Sequence, residues 1–115
     1  MKDQIANEEI VARAQELSTL YKVKVHPFVF VEPETQEQII GYIKEPSRVV
    51  KVYAMDKMVL QPATAGMDLL EACLLKAESD PRIYSEAPEY DKFYLGAVSF
   101  ATNMVTLSQN QLKKK

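Results

Sequence analysis

The side chains best suited to chemistry in this sequence are few and scattered. Cys73 is the only cysteine and His26 the only histidine. A catalytic thiol needs a base beside it, and imidazole is the usual one. Two isolated residues carry no spacing signal for such a pair. Cys73 falls among Leu69, Leu70 and Leu74, so it reads as a small buried side chain. His26, between Val25 and Pro27, reads as part of a strand. One cysteine also excludes an intrachain disulfide and implies no cysteine metal site.

Two acidic pairs, Asp68/Glu71 and Glu78/Asp80, are the next candidates, for metal binding or acid–base work. Asp68 and Glu71 are three apart and share a helix face. Nothing apolar in the sequence isolates them, so a solvated surface is the reading. No Gly-rich phosphate loop, HExxH, CxxC or GxSxG occurs, and three glycines leave little backbone for a phosphate cradle. The chain is therefore expected to be non-catalytic, with no cofactor and no metal. The competing expectation is a small enzyme or regulator using His26, Tyr42, Arg48 and Asp56.

Charge narrows the partners. A formal net charge of -2 supplies no positive field for phosphates, which argues against nucleic acid. The one basic run, Lys113-Lys114-Lys115, would complement the negative end of a helix dipole. Asp3, Glu8, Glu9, Arg13 and Glu16 in the first twenty residues fit neither a signal peptide nor a membrane span, so a cytoplasmic location is expected. At 115 residues, 47% hydrophobic and 26% charged, the chain has the balance of one folded domain.

The elements that must position these residues follow from periodicity. Ile10, Val11, Ala14, Leu17, Leu20 and Tyr21 repeat at helical spacing, predicting a helix over 4–20. From Val23 the period becomes two: Val23, Val25, Val29 and Val31 on one side, Lys24, His26, Phe28 and Phe30 on the other. Pro27 has no N–H for a ladder, so this strand is an edge or is bulged. "IIGYIK" (39–44) returns beside it, giving a β-hairpin over 22–44. The rival is a helix begun by Thr35-x-x-Gln38 with Ile39, Ile40 and Ile43 on one face. Gly41 and Pro46 weaken that rival, and a lone strand needs a partner.

Pro46 marks a boundary and Ser47 after it is a good N-cap, so a helix is predicted over 47–60. Its valines lower helix propensity, and packing must hold it. A further helix is predicted over 63–78, with Leu69, Leu70, Cys73, Leu74 and Ala77 buried. The last spans 89–111, with Tyr94, Ala97, Val98, Ala101, Met104 and Val105 on its core side. Gly96, Ala97 and Ala101 would let a neighbouring helix approach closely. The fold class is α+β and mostly helical: an N-terminal helix, one β-hairpin, then a three-helix bundle. Apolar residues on the last two helices exceed a single stripe, which means deep burial or self-association.

The order of motifs carries a resemblance. A short hairpin, "GYIKEPSR" at 41–48, a helix, "AGMDLLEACLL" at 65–75 and "SDPRI" at 79–83 resemble small phage-encoded tail-assembly chaperones. The likeness covers about residues 23–105. It implies a phage or prophage protein that binds the tape-measure or tail-tube protein in the host bacterial cytoplasm, with no catalytic residue. A minor virion component or connector would look the same. Under this resemblance the hairpin and the Met-bearing helix would be the contact elements, with Phe28, Phe30, Tyr42, Arg48, Met55 and Met58 as partner-binding residues. Five methionines supply adaptable surface or core filling.

Overall fold

The structure is a computed structural model that describes the backbone of residues 7–113 and the side chains of 7–105. Residues 4–6 of the predicted first helix and the lysine run proposed to complement the dipole lie outside those described side chains. Helix α1 (Asn7–Tyr21) leads into strand β1 (Val25–Val31), which pairs antiparallel with β2 (Gln38–Lys44). Helices α2 (Arg48–Met58), α3 (Pro62–Cys73) and α4 (Asp91–Lys113) follow, with three short 3₁₀ turns between α3 and α4. The fold is α+β and mostly helical, as the periodicity predicted.

The two-stranded sheet is covered on both faces, which explains its apolar character on both sides. On one face Val25, Tyr42 and Leu75 pack with Ile10, Ala14 and Leu17 of α1. On the other, Phe28, Ile39 and Ile43 join Leu69, Leu70 and Cys73 of α3 and Phe93, Ala97 and Ala101 of α4. Alternation along β1 thus feeds two cores.

β1 is the open edge. Glu45 N–H donates to Lys24 C=O and Glu32 N–H to Glu37 C=O, so even-numbered β1 residues face β2. Pro27 is odd-numbered, and its missing N–H costs the ladder nothing. The Val25 N–H also turns away from β2, and the Ser18 hydroxyl accepts from it at 2.9 Å.

Two expectations need correction. The helix predicted over 63–78 ends at Cys73. Leu74 is extended (ψ 129°) and bridges Ile43, while Leu75 N–H donates to Tyr42 C=O at 2.9 Å. The outer edge of β2 needs those partners, and a continued helix could not supply them. Ala77, placed in the buried stripe, is exposed.

Gly96 is the second correction. It admits the Phe30 ring rather than a helix: a Cβ there would lie 2.8 Å from Phe30 Cζ. The close approach of α3 and α4 comes instead at Gly66, where a Cβ would lie 2.6 Å from Thr102 Oγ1 and 2.7 Å from Val98 Cγ1.

Candidate functional site

Helix α2 lies at the margin of the core. Pro46 is buried before it, and Ser47 (φ −67°, ψ 164°) caps it, its Oγ accepting from Val50 N–H at 3.3 Å. Glu45 anchors it to the sheet. One Glu45 oxygen meets His26 Nε2 at 2.6 Å and the other meets Lys51 Nζ. Burial pushes the Glu45 carboxyl up, but the bonds from Lys51 and His26 together outweigh it and hold it below the usual carboxylate range. Lys57 ties the far end to Asp68 of α3.

Of the α2 side chains only Ala54 is buried, with Val50 and Met58 packed partly against the core. The opposite face is apolar and open. Val49 is 78% exposed, Val52 51%, Tyr53 65%, and beyond the helix end Val59 and Leu60 are 78% and 87% exposed. At 100° per residue these five fall on one side of the helix. Beside them, between α2 and α3, runs a groove of about 270 Å³ lined by Val49, Tyr53, Ala54, Ala65 and Leu69, with Lys57 and Asp68 at its rim. Together the exposed side chains and the groove form an apolar patch of the kind that receives a partner or a ligand.

The residues named from the sequence divide. Arg48 and Met55 lie on the exposed side of α2, and Met58 is half-buried beneath it. Phe28 and Tyr42 are buried in the two cores, and Phe30 packs beside Phe28 with ring centroids 5.5 Å apart. Those three aromatic rings do not join the α2 surface. The residues that make most of it (Val49, Val52, Tyr53, Val59 and Leu60) are assigned by the sequence only to a helix that packing must hold, without a face. A signal was present: α2 is apolar on the Val50/Ala54/Met58 side and again opposite it, which a single core cannot use. The apolar surplus expected on the last two helices is modest, with Met67 and Leu95 exposed.

The four catalytic candidates named from the sequence differ in setting. His26 is held by Glu45, and Asp56 lies exposed on α2. Burial pushes the Cys73 thiol up from its ordinary value. Glu71 pairs with Lys76, Glu78 with Arg13, and Asp80 with Arg82. Among the described residues no group of three or more His, Cys, Asp or Glu could hold a metal ion. Among them, too, no helix is long and apolar enough to cross a membrane.

Comparison with known proteins found no matching family model, no matching curated protein and no matching solved structure.

Proposed function

We propose that this chain is a non-catalytic protein-binding module whose contact surface is the open face of α2 and the adjoining α2–α3 groove. One observation carries the reading: α2 buries a single side chain and exposes a row of large apolar ones. Leaving such a row in water is unfavourable by about 25 cal/mol per Å², and covering it by an apolar helix recovers that cost. The motif order from "GYIKEPSR" to "SDPRI" supports the finer reading of a tail-assembly chaperone in a bacterial cytoplasm, engaging a tape-measure or tail-tube protein.

The test is co-expression with the tape-measure and tail-tube proteins of the same phage locus. Co-purification that is lost on Tyr53→Asp or Leu60→Asp supports the reading. A folded chain that captures neither protein refutes the chaperone assignment. Mass spectrometry of purified virions separates a chaperone, absent from the particle, from a minor virion component.

A further inference from the structure

We propose that the outer ridge of α2 pairs antiparallel with the same ridge of a second copy of this chain, about a two-fold axis at Val52. This rests on the reading of the α2 face as an interface and names one occupant of it. The groove on the α3 side stays open to another protein.

α2 carries four charged side chains. Lys51 is paired with Glu45 and Lys57 with Asp68. Arg48 and Asp56 are exposed, and neither has an ion pair among the described residues. These two stand four residues before and four after Val52, about 6 Å to either side along the axis. Antiparallel pairing at Val52 brings Arg48 level with Asp56 of the second copy, and Asp56 with its Arg48. Parallel pairing would set like charge against like. One cation and one anion placed symmetrically about an exposed valine thus form a self-complementary pattern, which a two-fold interface requires. A client helix would impose no such antisymmetry.

Geometry agrees. Arg48, Val52 and Asp56 form an i±4 ridge, and the commonest helix crossing, near −50°, lays one such ridge alongside another. Val49 and Val59 flank the ridge and are each 78% exposed. With Val52 and Met55 they give the ridge apolar flanks beside its two charges. The other self-pairing surface, the β1 edge, is blunted by Pro27 and by the Ser18 hydroxyl on the Val25 N–H.

Sedimentation velocity on the full chain over a range of concentrations tests this. The wild type is expected to be a concentration-dependent dimer and Val52→Asp a monomer with unchanged far-ultraviolet circular dichroism. Arg48→Glu or Asp56→Arg alone should weaken the dimer by about tenfold or more. Carrying both substitutions should restore it, and so should mixing the two single variants. A chain that stays monomeric, or a dimer that none of these changes weakens, overturns the proposal. A monomer that still captures a tail protein through Tyr53 and Leu60 overturns it while leaving the proposed function standing. A dimer that captures none does the reverse.

Discussion

The Ser79 hydroxyl takes the place of a third strand beside Tyr42. Its Oγ accepts from the Tyr42 N–H at 3.0 Å and donates to the Leu75 carbonyl at 2.8 Å. Ser79 is the buried polar residue among the described ones, at 7% exposure.

Ser79→Ala leaves the Tyr42 N–H buried with no acceptor. An orphaned buried donor costs about 1–3 kcal/mol, so the unfolding free energy should fall by that amount, read as a lower urea midpoint at unchanged slope. Ser99→Ala, on the exposed side of α4, should change stability by less than about 0.5 kcal/mol. Equal effects of the two substitutions would show that the hydroxyl does not hold the strand.

The same segment shows what the sequence could and could not reveal. Local signals were legible: the period-two run of β1, the Ser47 cap after Pro46, the Pro27 edge. Each depends on a few neighbouring residues. The end of α3 was not legible, because Leu74 and Leu75 leave the helix to serve Ile43 and Tyr42, some thirty residues earlier in the chain. No local rule reports that demand. The α2 surface failed for a related reason. Val49 and Val52 look like core residues until the placement of α3 and α4 shows that Val50, Ala54 and Met58 already fill that side. Phe28 and Tyr42, named from the sequence as contact residues, lie buried because both faces of the two-stranded sheet are covered.

Gly41 is predicted to resist replacement even by alanine. It lies opposite Phe28 in the ladder, and a Cβ there would lie 2.3 Å from Phe28 Cζ and 2.8 Å from Ile83 Cδ1. The ring cannot swing aside, being packed against Phe100 at 4.9 Å between centroids. Replacing glycine removes backbone entropy from the unfolded chain and should stabilise by about 0.5–1 kcal/mol. Overpacking a core costs about 1–3 kcal/mol, so the net effect of Gly41→Ala is destabilising. Combined with Phe28→Leu it should cost less than the sum of the single changes, and a double-mutant cycle measures that coupling. A stabilised Gly41→Ala variant would show that the ring is not held there.

Acid should loosen the turn that follows β2's outer edge. Both Asp80 oxygens are engaged by Arg82: Oδ1 accepts from Nε and from the backbone N–H, each at 3.0 Å, and Oδ2 accepts from Nη2 at 2.7 Å. Arg82 also reaches Glu37 at 3.0 Å, and Asp80 N–H donates to Ile40 C=O, so the cluster clamps the 3₁₀ turn Pro81–Ile83 to β2. The side-chain bond from Arg82 holds the Asp80 carboxyl below its ordinary 3.8, with burial opposing it. A carboxyl depressed in the folded state contributes stability that is full above its unfolded pKa and is lost as pH falls through the folded one. Stability should therefore hold from neutral pH down to about 4 and then decline. Asp80→Asn should lower the neutral plateau and flatten that decline, the two curves converging in strong acid. Urea midpoints measured from pH 7 to pH 2 decide it: a variant whose acid limb is as steep as that of the wild type would show that Arg82 does not stabilise the charged form of Asp80.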